Sequence, residues 1–500
     1  MSTPHHDDGI ANPFGDPISR AWLDEVESTT GFWDATPQLR YIAHVAALQR
    51  VSPWGLLALI QAHRLSHIPP NVVLVDRSGN PGTVLTDGTS LNFFISLVAR
   101  TGGGKSVTFR LASGLLPPNG TPVPDGTGQG IVRHIAETRI VRKDAENKPL
   151  EVPYRVTVFH RHSLTIHAPE IKTLAAEFAR EGSKTDAMMR SMWVGEVVGM
   201  TVADMERRVV IPPNMARISG IWGVQPVNAV ALLAQADDGT PQRFLWAPAA
   251  EYRRPYPSRK PVPQGVSFPM PGFSSNSSFG VSDMPSEYRD DDPLPDPIWV
   301  GWSPQMKADI ATIHATEDAL YDCDPYADRS PEQENAEKAL TMQSHLLLTR
   351  IKLSALMGFI HGRPEPSDLD WQLSEVQLDV STAELSGVWK RCEQARLITA
   401  QEKGADRAVE LYSSDTTRTL LKNTDINNVA HEAWALLALK PRKAKEIRDK
   451  LSARKRLLLK DALDTLVTEG KAEYDVEQSL WWAVWKGDRI RTEDPDPVVG

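Results

Sequence analysis

The chain has little cysteine: two residues, Cys323 and Cys392, in 500. They stand far apart and have no His or Cys partner at metal-ligand spacing. That excludes a disulfide framework and a zinc-finger pattern and fits a reducing compartment. Long apolar runs are also missing, and none approaches the ~20 residues a membrane-spanning helix needs. The opening residues, Met1-Ser2-Thr3-Pro4-His5-His6-Asp7-Asp8, hold neither a basic nor an apolar stretch, so no secretory leader is expected. No internal repeat is evident. The net charge of −9 is spread over the whole length and decides nothing about partners. The expectation is a cytoplasmic protein with no membrane partner.

With 41% hydrophobic residues the chain can bury a large core, and its length suggests about three domains. The stretch with the most specific chemistry is Ala99-Arg100-Thr101-Gly102-Gly103-Gly104-Lys105-Ser106. An apolar run, Leu91 to Val98, precedes it, and Val107-Thr108-Phe109-Arg110-Leu111-Ala112 reads as the start of a helix. Strand, glycine loop, Lys-Ser and helix form the phosphate-cradling arrangement of P-loop NTPases. Glycines let backbone N–H groups turn toward phosphate oxygens without a Cβ in the way. The helix start adds partial positive charge. Thr101, Gly102, Gly103, Gly104, Lys105, Ser106 and Val107 are therefore the expected ATP-binding residues. Lys105 would reach the β/γ-phosphates, and the Ser106 hydroxyl would ligate Mg²⁺. The full motif begins with Gly, where this chain has Ala99.

Hydrolysis also needs a carboxylate at a neighbouring strand end. The apolar strand Ser163–His167 runs into Ala168-Pro169-Glu170, so Glu170 is the expected activator of water. The strand Ala216–Trp222 leads to Gly223-Val224-Gln225-Pro226, which makes Gln225 a candidate γ-phosphate sensor. Arg243, before the strand ending at Trp246, is a candidate arginine supplied to a neighbouring subunit's nucleotide. A hairpin from Gly199 to Pro213 carries Arg207 and Arg208, which could track a single strand in a pore. His160 and His162 share one strand face but have no third ligand, so they are expected to be ordinary histidines.

The C-terminal part concentrates basic residues: Lys440, Arg442, Lys443, Lys445, Arg448, Lys450, Arg454, Lys455, Arg456 and Lys460. Three helices followed by a hairpin, Lys471–Tyr474 and Leu480–Trp485, suggest a winged helix-turn-helix. Lys443, Lys445, Arg448, Arg454, Lys455, Arg456 and Lys460 are then the expected contacts to duplex DNA, with Arg454 to Lys460 entering the groove.

The expected fold class is α/β: a P-loop NTPase core with a RecA/AAA+-like parallel sheet, a helical lid and a C-terminal winged helix-turn-helix. The boundaries read as a disordered segment 1–35, a helical lead-in plus ATPase core 36–252, and a Pro-rich linker or strap 253–300. A helical lid 301–400, a linker 401–425, the winged helix 426–486 and a flexible tail 487–500 follow.

Taken together, the chain resembles the helicase-like replicative ATPases of actinobacterial phages, prophages and mobile elements. The residues that carry the resemblance are Ala99–Ser106, Ala168-Pro169-Glu170, Met192–Glu196, Gly223–Pro226 and Gly239–Trp246. The family commonly has Asp-Glu where this chain has Pro169-Glu170. The resemblance implies an ATP-driven homo-hexameric ring acting on DNA with other replication proteins. It also implies a lid arginine, matched by Arg350, that contacts nucleotide. The rival readings are an ATP-regulated DNA-binding regulator, a packaging or partition motor, and a small-molecule kinase.

Overall fold

The computed structural model describes residues 14–75, 88–144, 146–180, 182–199, 208–233, 239–250, 261, 264–273, 284–321, 331–485 and 488–489. The chain divides into two compact units, Met1–Ala395 and Arg396–Gly500.

The elements that position the site in the first unit are, in chain order, helix α1 (Pro53–Ser66), strand β1 (Phe93–Val98), helix α2 (Lys105–Leu115), strand β2 (Ser163–Ala168), helix α3 (Thr185–Val194), strand β3 (Arg217–Val224), strand β4 (Phe244–Pro248) and helix α4 (Pro331–Ile360). Helix α5 (Asp368–Leu439) contains the division between the units.

The four strands form an all-parallel sheet in the order β4-β1-β3-β2. Parallel strands covered on both faces read as continuous apolar runs, and every residue of β1, β3 and β4 is buried. Side chains alternate between two cores. Phe93, Ile95, Leu97, Ile221, Leu245 and Ala247 face the core shared with α1 and α4. Phe94, Val98, Ile218, Trp222, Val224, Phe244 and Trp246 face the other, which contains Leu174 and Trp193. The free edge of β4 is blunted by α5, where the Ser381 hydroxyl accepts from the Trp246 N–H at 2.8 Å.

Helix α1 starts with Pro53 at an allowed first-turn position and is buried from Trp54 to Ser66. At the N-terminal ends of the strands two basic side chains are fully buried. Arg217, at the start of β3, donates to the carbonyls of Ile68, Pro69, Pro70 and Val72, to Ser90 Oγ and to Asn92 Oδ1. Lys352 of α4 donates to the carbonyls of Asn92 at 2.9 Å and Trp193 at 2.6 Å. Its second bond caps a carbonyl at the C-terminal end of α3, and burial, with Arg217 and Arg243 nearby, holds its pKa well below the usual lysine value.

Several expected boundaries differ. Residues 1–35 are not disordered throughout: Arg20–Thr30 is helical, and Phe32 and Trp33 are fully buried against Trp54. Residues 1–13 lie outside the described set. The described parts of the strap are docked on the first unit. Phe268 O accepts from Arg64, Glu287–Tyr288 pairs with the strand Pro149–Phe159, and Ile298–Val300 pairs with Val72–Leu74. The expected linker 401–425 is helical, inside α5. Asp488–Arg489 forms a strand where a loose tail was expected. No helix among the described residues is long and apolar enough to cross a membrane.

The second unit holds the end of α5, helix α6 (Ala444–Lys450), the short turn Ala453–Arg456 and helix α7 (Leu459–Thr468). The antiparallel strands Ala472–Asp475, Leu480–Trp485 and Asp488–Arg489 follow. An isolated bridge between Arg442 and Trp481 ties the segment before α6 to the sheet. Ala433, Ile447, Leu459, Ala462, Leu463, Leu466 and Ala483 make the core.

Candidate functional site

The parallel register brings the C-terminal ends of the strands, Val98, Ala168, Val224 and Pro248, to one edge of the sheet. Ligands bind at this edge in open α/β sheets. The loop after β1 has the backbone its glycines allow: Gly102 and Gly104 take φ of +74° and +92°. A Cβ on Gly103 would lie 2.7 Å from Ala99 Cβ, so the turn closes over Ala99 itself. Helix α2 begins at Lys105 without a side-chain cap, which leaves its first N–H groups to the loop.

Lys105 folds back over this loop, its Nζ donating to the Ala99 carbonyl at 2.7 Å. Partial burial lowers the pKa of its ammonium, opposed by the charge of Glu170. Ser106 and Val107 are exposed on the first turn.

Glu170 stands two residues beyond β2. Its carboxylate accepts from Gln225 Nε2 at 3.1 Å and lies 3.6 Å from Lys172 Nζ. Gln225 follows β3, the strand between β1 and β2. The three expected polar groups Lys105, Glu170 and Gln225 are therefore gathered at one edge.

Gly223 was not singled out as a site residue, yet it sets the spacing. A Cβ there would sit 2.0 Å from the Pro169 carbonyl oxygen and 3.2 Å from Lys105 Cε. The Ile171 N–H also donates to the Gly223 carbonyl at 2.9 Å, which pins the turn carrying Glu170 to β3. Glycine beside a Gln-Pro turn is the only sequence signal for this close approach. Phe109 of α2 stacks on His167 of β2, with ring centroids 3.5 Å apart, tying the helix behind Lys105 to the strand before Glu170.

Arg243 is placed elsewhere. It precedes β4, whose Phe244 pairs with Phe94, so the strand length, ~17 Å, separates it from the glycine loop of its own chain. Its guanidinium lies 5.7 Å from the centroid of Trp193. Arg350 is not brought to the glycine loop either. It bonds Glu375 at 2.8 Å and stacks 3.6 Å over Trp371, within the helical segment. Arg207 lies outside the described residues. Arg208 is exposed, and its carbonyl accepts from Thr138 Oγ1 at 2.5 Å at the base of the paired ends Val198–Gly199 and Val210–Ile211. His162 faces the carbonyls of Met215 and Pro285, so it is an ordinary bonded histidine. No group of three metal-ligating side chains occurs among the described residues.

In the second unit some of the basic residues have partners, although Arg454 and Arg456 are exposed as well. Lys455 pairs with Glu432, and Arg454 reaches Asp425 at 3.4 Å. Arg456 donates to the carbonyls of Arg448 and Leu451. Lys443, Lys445, Arg448 and Lys460 are exposed. The following hairpin carries exposed Glu473 and Glu477, and Asp475 bonds Arg489.

No protein-family model matches the chain, and no curated protein matches it.

Proposed function

We propose that the chain is an ATPase of the P-loop class that couples hydrolysis to work on DNA, as a replicative helicase or an origin-remodelling ATPase in a homo-hexameric ring. The observation that carries this reading is the convergence of Lys105, Glu170 and Gln225 beside a glycine turn at the C-terminal edge of an all-parallel sheet.

In this reading the triphosphate takes the backbone N–H groups of the 101–107 turn and the Lys105 ammonium. The neutral Ala99 carbonyl that Lys105 now holds gives way to charged phosphate oxygens, the stronger acceptors. The Ser106 hydroxyl would hold Mg²⁺, which would supply charge neutralisation of the phosphates; Pro169 stands where the resembled family commonly has an aspartate. Glu170 takes the proton of the attacking water as it bonds to phosphorus and the β–γ bridge breaks. Gln225 holds the Glu170 carboxylate and reads the γ-phosphate. Arg243 has no part in its own chain's pocket, and its proposed role is toward a neighbouring subunit.

The second unit is read as a winged helix. Its grip on duplex DNA is assigned to the exposed face of Lys443, Lys445, Arg448 and Lys460, and the acidic hairpin is left out of the phosphate contact. Single-strand contact is assigned to Arg207 and Arg208.

The test is phosphate release and strand displacement by the full chain on forked DNA with MgATP. Hydrolysis with displacement supports a helicase. Hydrolysis without displacement favours the DNA-binding regulator. No hydrolysis contradicts the proposal.

A further inference from the structure

We propose that Arg50 holds the nucleoside end of the nucleotide, as a flat cation laid against the base. The inference rests on the ATPase reading and extends it to a flank of the site that carries no motif residue.

The direction of the nucleotide follows from strand order. β1, which leads into the glycine loop, lies between β3 and β4. Glu170 and Gln225 stand on the β3 side, so the γ-phosphate end belongs there. The phosphates then run across the loop toward the β4 flank. On that flank Ala249, just past β4, donates its N–H to the Val98 carbonyl at 2.8 Å and accepts from the Ser52 N–H at 3.4 Å. A Cβ on Gly104 would meet the Ala249 carbonyl oxygen at 3.7 Å and Val51 Cγ1 at 3.9 Å. The turn Arg50-Val51-Ser52 is thus built against the residue that precedes Lys105.

Within this turn Arg50 stands out in two ways. It ends the helix Pro37–Gln49 in the left-handed region, at φ +54°, with its N–H on the Ala46 and Ala47 carbonyls. Glycine or asparagine takes that place at least cost. The other described non-glycine residues at positive φ are Asn147, Asn214 and Ser479, so Arg50 is the one long side chain among them. The second point is exposure. Val51 is buried and fixes the turn, whereas Arg50 is exposed, and Leu48, two residues earlier, is 66% exposed. An aliphatic side chain and a planar guanidinium on one turn suit a base, since guanidinium groups stack on aromatic faces. A cation at a helix end also meets the helix dipole, but lysine would serve that purpose equally.

The test is calorimetric binding of ATP, ADP and inorganic tripolyphosphate, each with Mg²⁺, to the full chain. Arg50→Ala should weaken ATP and ADP about tenfold each and leave tripolyphosphate affinity unchanged. Arg50→Lys keeps the charge but not the planar face, and should recover little of the loss. Circular dichroism establishes that both variants are folded. Unchanged ATP affinity in Arg50→Ala would overturn the inference while leaving the ATPase reading intact. So would an equal loss of tripolyphosphate, which would place Arg50 on phosphate, or full recovery in Arg50→Lys. No ATP binding by the folded wild type would overturn the ATPase reading and this inference with it.

Discussion

The Gln225 amide donates to the Glu170 carboxylate at 3.1 Å, joining the ends of two neighbouring parallel strands. The bond orients a carboxylate that has no aspartate before it to help. Gln225→Leu should therefore leave nucleotide binding near the wild-type level while lowering kcat by about a hundredfold. Equilibrium binding of a fluorescent ATP analogue and steady-state phosphate release separate the two effects. A variant with unchanged kcat would remove Gln225 from the mechanism.

Gly223 makes a prediction about space. Gly223→Ala would put a methyl 2.0 Å from the Pro169 carbonyl, which must then move together with Glu170. The expected outcome is a folded protein destabilised by about 1–3 kcal/mol, with hydrolysis lowered by at least about tenfold. Chemical denaturation and phosphate release check the two parts. Wild-type turnover would show that Glu170 tolerates the shift.

A pH prediction comes from Glu384, on the part of α5 packed into the first unit. Burial raises its pKa from 4.5 to about 7. Between those values the folded state holds a proton that the unfolded state has lost, so stability falls as pH rises through the window. Relative to Glu384→Gln, the wild type should lose up to roughly 3 kcal/mol from pH 4.5 to 7. Denaturation of both proteins across that range checks the sign, and parallel profiles would contradict it.

The basic face makes a prediction about salt. Lys455 pairs with Glu432, Arg456 bonds backbone carbonyls, and Arg454, though exposed, lies 3.4 Å from Asp425. Replacing Lys443, Lys445 and Arg448 by Ala should weaken duplex binding and reduce the slope of log K against log salt by up to about 3. Replacing Arg454 and Lys455 should change the slope less. Fluorescence anisotropy at several salt concentrations distinguishes them, and the reverse ranking would move the grip to the Arg454 turn.

Much of this architecture is legible in the chain because its cause is local. Strands β1, β3 and β4 read as apolar runs since both faces of the sheet are covered. The glycine loop reads as a turn since Gly102 and Gly104 need positive φ. Glu170 and Gln225 could each be placed at a strand end from the sequence because each follows an apolar strand, but their contact depends on the strand order. What was hidden depends on distant parts. Lys352 and Arg217 look like surface charges until the carbonyls that surround them are in place. Arg350 reads as a nucleotide contact, but Glu375 and Trp371, 25 and 21 residues along, hold it within the helical segment. The acids beside Arg454 and Lys455 could not be found from local sequence, since they lie 29 and 23 residues earlier on α5. The stretch 401–425 lacks apolar periodicity, so its helical state could not be inferred from a buried face.

The central claim is that Lys105 and Glu170 belong to one nucleotide site with separate tasks. The most direct measurement is ATP binding and phosphate release by wild type, Lys105→Ala and Glu170→Gln in parallel, with Mg²⁺ and DNA present. The account predicts that Lys105→Ala abolishes turnover, whereas Glu170→Gln binds ATP normally and releases phosphate about a hundredfold or more slowly. Wild-type turnover in Glu170→Gln, or no ATP binding by the wild type, would contradict it.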